Sequence, residues 1–120
     1  MQNDYSKQGE EQAGIYLQHK GYKILDKNYR ALRGEIDLIC SFKSILVFVE
    51  VKRRSSAQLG DGLEAITFHK IKQIVKTALF YIKERKFYDL DYRFDVISIQ
   101  DDEQKIQHIE NAFSADGVCF

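Results

Sequence analysis

The stretch Gly34-Glu35-Ile36-Asp37-Leu38-Ile39-Cys40-Ser41-Phe42-Lys43-Ser44-Ile45-Leu46-Val47-Phe48-Val49-Glu50-Val51-Lys52 decides the fold of this chain. It reads as a β-hairpin. Gly34 opens one arm, residues 35–40, and residues 41–44 form a short turn. Residues 45–52 are the strongest strand in the sequence, β-branched and aromatic nearly throughout. Strand side chains alternate between faces, so Val47, Val49 and Val51 share one side and Phe48, Glu50 and Lys52 the other. Glu50 and Lys52 therefore point the same way, about 7 Å apart along the strand. Asp37 sits in the middle of the other arm, and the simplest hairpin register brings it near Glu50.

The rest of the chain fits around this hairpin. Residues 4–20 read as a helix, with Ala13, Tyr16 and Leu17 at helical spacing and Gly21 at the position that follows a helix end. Residues 22–29 read as a strand. Arg54 to Gly62 is a polar loop containing Gly60, read either as a segment that moves over a substrate or as a plain connector. A helix is expected over 67–86, with Thr67 as N-cap and Ile71, Ile74, Val75, Ala78, Leu79 and Ile82 as its apolar stripe. Residues 92–99 form another strand, and 105–109 a last short one at an edge. The order is α-β-β-β-α-β, then β. Short turns make the first three strands an antiparallel meander. The helix between the third and fourth makes a right-handed crossover, so those two strands run parallel. The expected fold is one α/β domain, residues 1–120, with a mixed central sheet and a helix on each face.

Composition bounds the function. With 120 residues, 44% hydrophobic and 30% charged, the chain is an ordinary globular domain rather than a disordered one. Cys40 and Cys119 are far apart and form no CxxC pair, which argues against a disulfide framework or structural zinc. No signal peptide is visible, and the longest apolar run, residues 45–49, is too short to span a membrane. The expected location is the cytoplasm, with no membrane partner. Eighteen basic and eighteen acidic residues balance to zero net charge. That argues against a broad basic nucleic-acid coat and leaves room for a local patch.

Two carboxylates in the middle of apolar strands need a reason, because an unpaired buried charge costs several kcal/mol. A divalent cation is one remedy. Hard oxygen ligands suit magnesium or manganese, and magnesium commonly takes one or two carboxylates plus waters and substrate phosphates. Such an ion activates water and offsets charge on a phosphate, and a lysine beside it orients the water or stabilises the same charge. Glu-x-Lys alone usually marks a solvated or self-paired face. Gly-Glu-Ile-Asp, twelve intervening residues and then Glu-Val-Lys form a far more specific set.

The segments Gly34-Glu35-Ile36-Asp37-Leu38-Ile39 and Val47-Phe48-Val49-Glu50-Val51-Lys52-Arg53-Arg54 resemble the YraN family of small bacterial proteins. So do Gly9-Glu10, Ala13, Gly60, Lys70 and Arg93-Phe94-Asp95-Val96, so the resemblance spans nearly the whole chain. That family looks like the archaeal Holliday-junction resolvases of the restriction-endonuclease-like group. The resemblance implies an αβββαβ core and a PD-(D/E)xK site that uses Mg2+ or Mn2+. Asp37 and Glu50 would be metal ligands, Lys52 the catalytic lysine, and the Val51 carbonyl a third ligand. Glu10 would be the helix glutamate that resolvase-like members bring to the metal. It falls on one helical face with Ala13, Gly14 and Leu17, although an acid in an early turn also serves the helix dipole. The proline of the motif name is absent, its place being taken by Ile36. A homodimer is implied by the resemblance alone.

Nucleic acid, DNA first, is the expected partner, with Arg53, Arg54, Lys70, Lys72 and Lys76 as phosphate contacts. Lys70 has the best case for reaching the site. Arg30 and Arg33 stand just before Gly34, and Lys83 and Lys86 read equally well as a solvated helix face. Arg93 and Asp95 read as a structural ion pair, and the histidines lack metal spacing. The expected activity is metal-dependent hydrolysis of DNA phosphodiesters, on branched or structured DNA. The alternative is a non-catalytic nucleic-acid or partner-binding module that retains the nuclease fold. The residues do not separate DNA from RNA, or a junction from a flap, a nick or plain duplex.

Overall fold

The computed structural model describes residues 4–55 and 66–116. In chain order these form α1 (Asp4–His19), β1 (Lys23–Ala31), β2 (Gly34–Phe42), β3 (Ile45–Arg54), α2 (Phe68–Arg85), β4 (Asp91–Gln100) and β5 (Lys105–Phe113). The five strands make one sheet in sequence order. β1, β2 and β3 run antiparallel, β3 and β4 parallel, and β4 and β5 antiparallel. This is the expected α/β arrangement, a mixed sheet flanked by helices, compatible with a restriction-endonuclease-like core. The expected Arg54–Gly62 loop lies outside the described residues beyond Ser55, as does Cys119.

Alternation sorts the core into two layers. Ala13 and Leu17 of α1 pack on Leu38, Cys40, Val47 and Val49. Ile74, Val75, Ala78 and Tyr81 of α2 pack on Ile39, Phe48 and Phe94 on the other side. Burying each such large apolar side chain contributes roughly 1.5–3 kcal/mol. The α2 stripe is broader than expected, since Thr77 and Tyr81 are also buried. Their polar atoms hide an inward position from a purely apolar pattern.

Several boundaries differ from the sequence expectation, and β3 runs on to Arg54, the residue expected to open the loop. The turn of the central hairpin shrinks from four residues to Lys43 and Ser44, both left-handed, with φ 50° and 64°. β1 extends to Ala31 because Leu32 and Arg33 turn in the same way, at φ 54° and 65°. Two-residue hairpins with this twist normally advertise themselves with Asn-Gly or Asp-Gly, and neither turn has such a pair. β5 runs on to Phe113 rather than ending at Ile109, because Phe113 stacks on Phe94 with ring centroids 5.1 Å apart.

Both helix ends facing the sheet are explicit. Thr67 caps α2 as expected, its hydroxyl accepting from the Lys70 N–H at 3.1 Å. Gly21 follows α1 at φ 95°, a backbone few other residues adopt. α2 also sits close on the β1–β2 hairpin. The Thr77 hydroxyl lies 2.9 Å from the carbonyl oxygens of both Ala31 and Gln73, and a Cβ at Gly34 would collide with it. This close approach seats the middle of α2 on the β1–β2 hairpin.

Candidate active site

Asp37 and Glu50 come together where β2 and β3 part. Their ladder runs from Phe42 opposite Ile45 to Leu38 opposite Val49. Beyond it the alternation of β2 slips: Leu38 faces α1, while Ile36 and Ile39 both join the α2 side. The Asp37 carboxylate fills the fork and accepts a hydrogen bond from the Val51 N–H at 2.8 Å. Asp37 is 9% exposed and Glu50 7%.

Cations converge on this pair from two elements. Lys52 arrives from β3 itself, on the face of Glu50. Lys70 arrives from α2, its Nζ 3.4 Å from Glu50 Oε1. The Lys52 and Lys70 amines lie close enough to influence each other. Burial, reinforced by Glu50, pushes the Asp37 carboxyl up to about 9. Burial likewise lowers Lys52, with Lys70 adding to the effect against the pull of Glu50. For Lys70 burial also works downward, but Glu50, Lys52 and Asp37 outweigh it and the amine is raised.

The pair opens into a cleft of about 310 Å³ lined by Glu10, Asp37, Glu50, Val51, Lys52 and Lys70, with Tyr5 and Ser6 at its rim. A second opening of about 180 Å³ shares Asp37, Glu50 and Lys70 and continues to Arg33 and Gln73. Glu35 lines both openings. No group of three His, Cys, Asp or Glu side chains forms a metal cage among the described residues. Two adjacent carboxylates on an open cleft instead match the sparse protein ligation that magnesium accepts. The donor set therefore fits a hard divalent ion and does not fit zinc.

The remaining expected contacts divide. Arg53 lines the cleft, but its guanidinium is engaged elsewhere. It bonds Asp101 at 2.9 Å and the Tyr5 carbonyl at 2.8 Å, and lies over the Tyr5 ring. It thus ties β3 to the start of α1. All three guanidinium nitrogens of Arg54 are buried without a hydrogen-bond partner among the described residues. Lys72 and Lys76 line neither opening, and Lys76 borders a surface hollow with Leu32, Leu79 and Phe80. Tyr5 and Ser6 carry no signal in the periodicity, and Glu35 stands out there only as part of the Gly-Glu-Ile-Asp motif.

A second buried polar cluster lies apart from the cleft. Asp95, fully buried, pairs with Arg93 at 2.8 Å, the ion pair expected from their shared strand face. It also accepts from the Asn111 N–H at 2.9 Å and lies 2.8 Å from His108 Nε2. Burial would raise this carboxyl, but the bonds from His108, Arg93 and Asn111 hold it below the usual carboxylate range. His108, given no role from sequence, is a structural partner here.

Among the described residues no helix is long and apolar enough to cross a membrane. The profile of the Uncharacterised protein family UPF0102 matches residues 9–99. A UPF0102 protein of Sulfurihydrogenibium sp. is 49% identical, over 88% of this chain and 90% of its own. One from Syntrophomonas wolfei is 46% identical over 88% and 93%. One from Chlorobium phaeobacteroides is 44% identical over 92% and 94%. The chain belongs to the uncharacterised protein family UPF0102, the YraN family that the hairpin residues resemble.

Proposed function

We propose that this protein is a Mg2+- or Mn2+-dependent phosphodiesterase acting on nucleic acid, DNA first. The observation that carries the reading is the burial of Asp37 and Glu50 side by side, with Lys52 and Lys70, on one open cleft. Asp37 and Glu50 would hold the ion, with the Val51 carbonyl as a further oxygen donor, while Glu10 lines the same cleft without forming a three-carboxylate group with them. When bound, the ion would lower the pKa of a coordinated water and offset charge on the phosphoryl group. Lys52 would orient the attacking water or stabilise the charge that develops on the phosphate. A phosphate would find its cations in Lys52 and Lys70, while Arg53 would act by holding α1 against β3.

The test is cleavage of labelled duplex, single-stranded, flapped and four-way-junction DNA, and of RNA, with Mg2+ or Mn2+. Asp37→Ala and Glu50→Ala should each abolish cleavage while keeping the fold. Unchanged cleavage in either variant removes the assignment. The zero net charge favours a second reading, a binding module that keeps the fold without the chemistry. Binding without cleavage across the panel would select it. A dimer, implied by resemblance to junction resolvases, is checked by sedimentation with and without DNA.

A further inference from the structure

Lys70 stands where helix physics disfavours it. Thr67 is the N-cap, so Lys70 is the third residue of α2, a place that usually carries Glu or Gln. The first turn contains no acid, and the positive end of the helix dipole repels a cation there. The compensation is Glu50. The Lys70 ammonium lies 3.4 Å from Glu50 Oε1, which makes it the nearest cation recorded for that buried carboxylate. Lys70 is 44% exposed and Glu50 7%, so the lysine has room to swing and the carboxylate does not. Lys70 also lines both openings that meet at the pair.

We propose that Lys70 is the built-in counter-ion of the Asp37–Glu50 pair and competes with a divalent ion for Glu50, so that ion and phosphate bind cooperatively. The inference rests on the metal-site reading above. An ion taking a Glu50 oxygen would meet an ammonium within ion-pair distance, and like charges that close repel. Moving Lys70 away relieves the ion but strands the ammonium beside Lys52. A phosphodiester in the cleft supplies a new anionic partner for it. Ion and phosphate thus each remove the obstacle to the other, and by linkage the gain is reciprocal. The free protein should hold the ion weakly and the nucleic-acid complex tightly.

The test is Mn2+ titration, followed by calorimetry and by electron paramagnetic resonance of free Mn2+. The proteins are wild type, Lys70→Met, Lys70→Arg and Asp37→Asn, each checked for fold by circular dichroism. Each is titrated alone and with a hydrolysis-resistant phosphorothioate duplex, subtracting Mn2+ bound by the duplex itself. Without duplex, Lys70→Met should bind Mn2+ about tenfold more tightly than wild type, the response to removing one half-screened like charge. Lys70→Arg should stay close to wild type. The duplex should tighten Mn2+ binding by wild type and leave Lys70→Met little changed. Equal or weaker Mn2+ binding by folded Lys70→Met, with binding lost in Asp37→Asn, overturns the counter-ion role and leaves the metal site standing. Undiminished Mn2+ binding by Asp37→Asn overturns the metal site and this inference with it.

Discussion

The Asp37 carboxylate accepts a hydrogen bond from the backbone N–H of Val51 at 2.8 Å, just past the last paired residues of their strands, Leu38 and Val49. One side chain thereby replaces a rung of the sheet ladder. The strands can open beside it without leaving that N–H unsatisfied, which inside a protein costs about 1–3 kcal/mol. The candidate site occupies the opening, so the site and the end of the β2–β3 ladder share the same atoms.

Stability without metal should fall toward alkaline pH. The unfolded chain releases the Asp37 proton near about 4. The folded chain, through burial and then Glu50, holds it up to about 9. A group raised in this way contributes stability that is complete below about 4 and is lost as the pH rises through about 9. Asp95 acts in the opposite sense. Its carboxyl is lowered, so its contribution is present above the ordinary carboxylate value and lost as the pH falls through its folded value. Urea midpoints measured in EDTA from acid to alkaline pH should show both limbs. Asp37→Asn should flatten the alkaline one, and an equally steep decline in that variant would assign it to another group.

Gly34→Ala should destabilise the fold by about 1–3 kcal/mol, the usual cost of overpacking. The added methyl would meet the Thr77 hydroxyl and approach the Gln73 carbonyl at 3.0 Å. Thr77→Ala should lose a smaller amount through its hydrogen bond to the β1–β2 hairpin. The double variant should be less unstable than the sum, giving a coupling measurable by denaturant titration. Strict additivity would show that α2 does not rest on Gly34 through Thr77.

Asp95→Ala should cost about 1–3 kcal/mol, because it leaves the Asn111 N–H without its acceptor while Arg93 keeps Glu110 and Tyr22. His108→Ala should cost less, since Arg93 and the Asn111 N–H still serve the carboxylate. Both clefts are lined by other residues. Mn2+ affinity of the folded variants should therefore match wild type in the calorimeter, and a large change would tie this cluster to the site.

Arg53→Ala should act on stability more than on nucleic-acid binding. Its guanidinium already bonds Asp101, the Tyr5 carbonyl and Gln8. The expected loss is about 1–3 kcal/mol from charge-assisted bonds, seen as a lowered urea midpoint. The salt dependence of DNA binding should be unchanged, because no phosphate contact disappears. A shallower salt slope with unaltered stability would make Arg53 a phosphate ligand instead.

The sequence by itself determined the element order, the antiparallel meander, the parallel crossover and the shared face of Glu50 and Lys52. These follow from periods of two and 3.6 residues and from connection length, which are local properties of the chain. It also brought Asp37 near Glu50, because a short hairpin leaves few registers. It favoured Lys70 among the helix lysines, but only the tertiary structure decided which contacts the cations near the site make. Lys70 and Lys72, two residues apart, fall on different faces of one helix, and the packing of α2 brings Lys70 to Glu50 and leaves Lys72 outside both openings. Arg53 follows Lys52 directly and also lines the cleft, yet Tyr5 and Asp101 take its guanidinium. Long side chains reach whatever packing brings within a few ångströms, and that reach has no period to read along the chain.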